Sequence, residues 1–231
     1  MAFVQIYKME SNLAKEMLAA GAHFGYSKTK RHPSAKSYVF TTKNNTDIID
    51  ITKTEEMLAR ATAFVKSLGA EKKTILFVSG KPEAKNIMEA AAVKLGMPYV
   101  ENRWIGGTLT NFTQIKKRID VLIDLKNKKE KGLLDKYTKK EQSDFARQIE
   151  KMQKSFGGLV GMTKRPDALF IIDTRKEKIA LTEANMTKLP VVSLSNTDND
   201  LAGINYPIVA NDASRTSVKF FVDKIVEAYQ G

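Results

Sequence analysis

Residues 74–100 read TILFVSGKPEAKNIMEAAAVKLGMPYV. Ile75 to Val78 are apolar at consecutive positions, with no polar alternate. Such a run suits a strand covered on both faces, as in a parallel sheet. The stretch that follows is helical by composition; Pro82 suits its first turn and Gly96 its stop. MPYV (97–100) then reads as the next strand. The pattern recurs downstream: DALFIID (167–173) leads into TRKEKIALTEANMTK, and LPVVSLS (189–195) follows. Repeated strand–helix–strand units predict an α/β sheet with helices on both faces.

Outward from these units, SYVFTT (37–42) and TDIIDI (46–51) are short strand candidates separated by a KNN turn. Thr52 and Glu55 fit a capping box and predict a helix over 53–68. NDASRTSVKFFVDKIVEAYQ (211–230) reads as a closing helix capped by Asn211 or Asp212. The chain is read as one α/β domain over residues 1–231.

Residues 111–156 break the alternation, with no strand candidate. Phe112, Ile115, Ile119 and Leu122 form one heptad-like stripe; Phe145, Ile149, Met152 and Phe156 form another. Gly132 breaks the first helix, and Thr138 with Glu141 makes a second capping box. The spacing predicts an inserted antiparallel coiled-coil hairpin over 111–157. Its first arm of about 20 residues would reach roughly 30 Å from the sheet.

Charge directs the functional reading. The 231 residues carry a formal net charge of +12, which points to a polyanion, nucleic acid before an anionic membrane. No acidic residue falls within 17–46, a segment that contains Lys28, Lys30, Arg31 and Lys36. In the hairpin, thirteen Lys or Arg stand against seven Asp or Glu, with Lys116, Lys117 and Arg118 together. Lys164 and Arg165 precede the strand at 167. Solvated surface is the ordinary explanation of such clusters; contact with phosphate is the alternative.

Catalytic motifs are missing. FVSGKPE has one glycine and a proline after its lysine, where a phosphate loop needs backbone N–H donors. No dinucleotide fingerprint, metal-protease spacing or nucleophile elbow appears. Without cysteine there is no disulfide or thiolate metal site. No basic n-region with an unbroken apolar run opens the chain, and no apolar stretch spans a membrane. The reading is a soluble, intracellular protein with no cofactor and no bound metal.

Several stretches, AAGAHFGYSKTKRHPSAKSYVF (19–40), DIIDITKTEEML (47–58), RWIGGTLTNFTQIKKRI (103–119), GGLVGMTKRPDALFIID (157–173) and YPIVANDASRTSV (206–218), follow one another in an order specific to one family. From about residue 10 to about 228 the chain resembles bacterial small-subunit ribosomal protein two. The resemblance implies a flavodoxin-like parallel sheet with an inserted coiled-coil hairpin. It also implies binding to small-subunit ribosomal RNA, a cytoplasmic place on the ribosome and no catalysis. Neighbouring ribosomal proteins are the implied partners, including the large one that handles messenger RNA. No membrane and no second copy of the chain is implied.

Against that background, Arg103 is read as a phosphate contact. Trp104 is read either as stacking on a base or as packing the sheet edge. Gly106, Gly107 and Thr108 form the joint from which the hairpin leaves the sheet. Asn111 is read as the cap of its first helix and a further RNA contact. His23 is read either as touching RNA or as a structural residue. Relatives place a histidine and aspartates where this chain has Tyr26, Asn196, Asn205 and Ala213, so a divalent ion that relatives hold there is expected to be absent or weakly bound. The rival reading is an enzyme that binds a nucleotide or sugar phosphate on loops 79–82 and 173–176.

Overall fold

A computed structural model describes residues 11–231; residues 1–10, read above as free of an export signal, lie outside the described part. Five parallel strands form the main sheet in the order β5-β4-β6-β7-β8. They are β4 (Ile75–Val78), β5 (Tyr99–Val100), β6 (Ala168–Ile172), β7 (Val191–Ser195) and β8 (Tyr206–Val209). The alternating side chains of these apolar runs go to opposite faces. Ile75, Phe77, Phe170, Ile172, Val192 and Leu194 enter one core, together with α2 (Ile51–Ala70), α3 (Pro82–Leu95) and α7 (Arg215–Gln230). Leu76, Val78, Leu169, Ile171 and Val191 enter the other. That second core also takes Trp104 and the buried faces of α4 (Phe112–Glu130), α5 (Lys139–Phe156) and α6 (Lys178–Met186). Consecutive apolar residues are required because each face is covered.

β8 escaped the sequence reading. Pro207 removes a ladder donor, which an edge strand tolerates because one side has no neighbour.

Three short antiparallel strands form a second sheet, β1-β3-β2: β1 (Phe24–Ser27), β2 (Val39–Lys43) and β3 (Thr46–Ile49). The carboxylate-free segment around YSKTKRHPSAK therefore opens with a strand and continues through 3-10 turns at Lys28–Lys30 and Pro33–Tyr38. Its anchoring explains the glycine of GAHFG. A Cβ on Gly25 would lie 2.9 Å from Thr197 Cγ2 and 3.1 Å from Asp47 Cβ. The backbone there runs directly against the loop after β7, and Tyr26 N donates to Thr197 Oγ1 at 3.0 Å.

Helix boundaries show where local signals were overruled. Pro82 at the start of α3 and left-handed Gly96 at its end stand as predicted, and so does the reciprocal Thr138–Glu141 box of α5. The Thr52–Glu55 box does not form. Asp50 caps α2 by accepting from Thr52 N at 3.1 Å, while Glu55 accepts from Ser11 Oγ at 2.6 Å. Asn211 and Asp212 do not cap α7 either. Ser214 stands at that position, because Asn211 ties to Gly21 O and Asp212 is drawn into an ion cluster.

That cluster joins three strand ends. Lys81 Nζ, after β4, lies 2.9 Å from Asp173 Oδ2 after β6 and 2.7 Å from Asp212 Oδ2 after β8. Burial alone would discharge the ammonium; Asp212 and then Asp173 outweigh it and push its pKa above the ordinary value. One cation shared by two carboxylates leaves an excess negative charge. Burial accordingly pushes Asp212 up to about 6 despite Lys81. A carboxyl whose pKa is higher folded than unfolded contributes stability that is complete below its unfolded value and lost as the pH rises through about 6. Lys81→Met should cost about 3–5 kcal/mol near pH 8, because it leaves two buried carboxylates facing each other. The deficit should shrink by pH 5 as Asp212 takes up a proton; urea unfolding at the two pH values measures both effects.

Candidate nucleic-acid interface

RWIGGTLTN (103–111) wraps around a single carboxylate, that of Glu183 on α6. Glu183 Oε1 accepts from Trp104 Nε1 at 3.1 Å and Gly107 N at 2.7 Å. Its Oε2 accepts from Leu109 N at 3.0 Å, Thr110 N at 3.2 Å and Thr110 Oγ1 at 3.2 Å. Burial opposes ionisation, yet the Trp104 indole and the backbone N–H groups outweigh it, so the pKa of Glu183 lies below the usual carboxylate range. Nothing in a sequence flags this glutamate. LTEAN reads as an ordinary stretch of helix, and its partners lie more than seventy residues away.

This anchoring corrects several readings. Trp104 is 3% exposed, so its ring packs the core and has no face left for a base. Of the two glycines only Gly107 is conformationally required, at φ +91°; a Cβ on Gly106 would meet only Glu183 Oε1, at 4.0 Å. Thr108 does not serve the first turn of α4: its hydroxyl donates to Ile105 O at 2.6 Å. Asn111 stands at the N-cap position of α4, but its side chain makes no capping bond.

The basic residues divide into committed and free. Arg31 is committed: its Nε and Nη2 reach Asp47 at 2.7 and 2.6 Å, and Asp47 is fully buried. That fork fixes the basic segment to β3 rather than facing a phosphate. Burial lowers the pKa of His23, so the ring is neutral at pH 7 and brings no charge to a phosphate; it lies 4.0 Å from the Phe24 ring, centroid to centroid. Lys164 sits 3.7 Å from Asp167, and Lys116 Nζ reaches Thr163 O at 3.5 Å. Lys28, Lys36, Arg103, Lys117, Arg118 and Arg165 are exposed and have no ion-pair partner among the described residues. Lys30, also exposed, stands 5.7 Å from the centroid of the Tyr26 ring.

Arg103 borders a crevice of about 530 Å³ outside the carboxyl ends of β4, β5 and β6. Strand order reverses there, where open α/β sheets bind ligands. Here the chain fills the position itself. Glu177 Oε1 takes the Gly80 N–H at 3.0 Å, and Lys176 Nζ donates to Gly80 O at 2.6 Å. The backbone donor that a phosphate would need is spent on an internal carboxylate.

The residues do not fit a divalent ion either. The Lys81 ammonium already lies between Asp173 and Asp212. Asn196 Nδ2 donates to Asp212 Oδ1 at 3.2 Å. The Tyr26 ring centroid is 5.7 Å from Lys81 Nζ. Asn205 is elsewhere: its Oδ1 accepts from Val191 N at the opposite end of the sheet. Ala213 N donates to Asn211 Oδ1. Tyr26 and Asn196 therefore stand at the Lys81–Asp212 cluster while Asn205 does not, so the four departures do not share one site; at the cluster Lys81 supplies the positive charge and the Asn196 amide a hydrogen bond.

Comparison with known proteins finds relatives along nearly the whole chain. A family model described as ribosomal protein S2 matches residues 17–231. The chain is 41% identical over 216 residues to the small ribosomal subunit protein uS2 of Dictyoglomus thermophilum, covering 94% of this chain and 88% of that protein. It is 42% identical over 214 residues to the protein of the same name from Petrotoga mobilis, covering 93% of this chain and 74% of that protein.

Glu183→Gln should lower stability by about 1–3 kcal/mol, since an amide nitrogen would face donors that have no other acceptor. A carboxylate with a depressed pKa contributes above its unfolded value and loses that contribution as the pH falls through the folded one. The difference from the unchanged protein should therefore narrow in acid, as denaturant midpoints from pH 7 downward will test. Gly107→Val should cost about 1–3 kcal/mol through backbone strain, whereas Gly106→Ala should be nearly silent in thermal unfolding.

Proposed function

Because the chain belongs to the ribosomal protein S2 family, a family of structural components rather than enzymes, we propose that it binds small-subunit ribosomal RNA through an unpaired cationic surface. The relatives named above are proteins of the small ribosomal subunit, and this chain takes the same place. The observation that carries the reading is the set of exposed cations without internal partners on a chain of net charge +12. Lys28, Lys30 and Lys36 form one patch, clamped against the loop after β7. Lys117, Arg118 and Arg165 form a second, flanked by Lys116 and Lys164, which reach Thr163 O and Asp167; Arg103 stands at the crevice. Such residues displace counterions from phosphate, and they read backbone and shape, because the A-form major groove admits few side chains.

In this reading residues 111–157 are an antiparallel coiled-coil hairpin inserted in a single α/β domain. Its support is the paired burial of Ile115, Ile119 and Leu122 with Ile149 and Phe156, the left-handed Gly132 after α4, and the capping box that starts α5. The Glu183-bound joint sets the direction of its departure. Neighbouring small-subunit proteins, with the large messenger-RNA-handling protein among them, are the protein partners. The site of action is the cytoplasmic ribosome. No helix among the described residues is long and apolar enough to cross a membrane.

Tagged protein expressed in a bacterial cell should sediment with small subunits and be released as salt is raised. Sedimentation away from ribosomes at low salt would defeat the proposal. Replacing Lys28, Lys30 and Lys36 by Gln should reduce the slope of log affinity against log salt by about three, one for each phosphate contact, in filter binding to purified small-subunit RNA.

A further inference from the structure

Between the joint, α4 and α5 lies an open groove of about 680 Å³. Ile105 and Met152, both half-buried, give it an apolar floor, with the buried Ile115 and Phe156 beneath. Gln114 and Arg118 from α4 face Gln148 and Lys151 from α5 across it. No carboxylate lines it. Elsewhere on these helices carboxylates do meet cations: Lys128 pairs with Asp124, Arg147 with Asp144 and Lys154 with Glu150. The four polar side chains of the groove have no hydrogen-bond or ion-pair partner among the described residues.

The volume falls within the range of about 300–1,000 Å³ that suits a small ligand. The chemistry narrows the choice. Two free cations call for an anion. Two free amides offer donors and acceptors together, as the edge of a nucleobase requires. An apolar floor suits the face of a base and gives nothing to a phosphodiester backbone. A continuous RNA helix would leave that floor and those amides unused, since its bases are stacked inside. An acidic peptide would answer the cations, but the flat side chains it could lay on the floor, Phe, Tyr or Trp, carry at most one hydrogen-bonding group at their edge for the two amides.

We propose that the groove receives one unpaired nucleotide of ribosomal RNA, its base over Ile105 and Met152 and its flanking phosphates on Arg118 and Lys151. This inference rests on the RNA-binding reading above and specifies which part of the RNA enters. The side chains of Gln114 and Gln148 contact the edge of the base.

The chain has no cysteine, so Ser155→Cys at the edge of the groove gives a unique attachment point for a short photo-cross-linker. The labelled protein is assembled into small subunits and irradiated, and the RNA is mapped by primer extension. The expected result is a cross-link to a nucleotide that chemical probing shows to be unpaired. Adding Lys151→Glu, an exposed side chain outside the patches named above, should lower its yield about threefold per incorporated protein. Cross-links to protein alone, to paired RNA alone, or to nothing in subunits that contain the protein would overturn the inference. So would an unchanged yield in the charge-reversed variant. Failure of the unlabelled, unaltered chain to enter subunits would instead sink the RNA-binding reading itself.

Discussion

The Glu183 carboxylate holds the segment on which the functional geometry depends. Between β5 and α4 the chain must leave the sheet, turn, and begin a helix that carries much of the cationic surface. A turn so placed exposes backbone donors that would otherwise need water. One ionised oxygen pair answers three of them, and also the Trp104 indole and the Thr110 hydroxyl. Because the acceptor sits on α6, the joint is referred to the sheet rather than to itself. The direction of α4 is thereby a property of the core.

A second set of internal charges decides what the molecule does not do. At the crevice where a parallel sheet of this kind binds substrates, the polar groups are engaged by the chain's own side chains. Glu177 takes the place of an anion at Gly80, and Lys81 the place of a cation between Asp173 and Asp212. These pairs lock the strand ends together at the position where an enzyme would leave donors free. The fold has been kept and its ligand position converted into a structural tie. That agrees with a family whose work is assembly, and it leaves the outer surface as the place where partners are met.

How legible this was from the sequence varied with the range of the interaction. β4, β6 and β7, both ends of α3 and the α5 capping box could be read, because each is set by residues within a few positions of one another. Long-range ties could not. Arg31 looked like a phosphate ligand because Asp47 lies just beyond the carboxylate-free stretch, and pairing depends on β3 folding back beside β1. Lys81 looked like a failed phosphate loop; that its ammonium faces Asp212 depends on strand order. Trp104 was left between core and RNA until Glu183 placed it. Asn196 and Asn205 seemed to belong together, and the sheet sets them at opposite ends.

Charge is used in two ways, and the division bears on function. Where a cation is needed for the fold, a buried carboxylate meets it: Asp47 for Arg31, Asp173 and Asp212 for Lys81. Lys28, Lys36, Lys117, Arg118 and Arg165 meet none among the described residues, and the packing of the two cores does not call on them. A surplus of +12 raises the self-repulsion of the free protein. Neutralisation from outside would relieve that repulsion. Phosphate does so closely and at high density, releasing counterions as it binds. In the proposed complex with RNA, the same surplus that burdens the isolated chain would supply attachment, and binding to the folded chain would add to its stability.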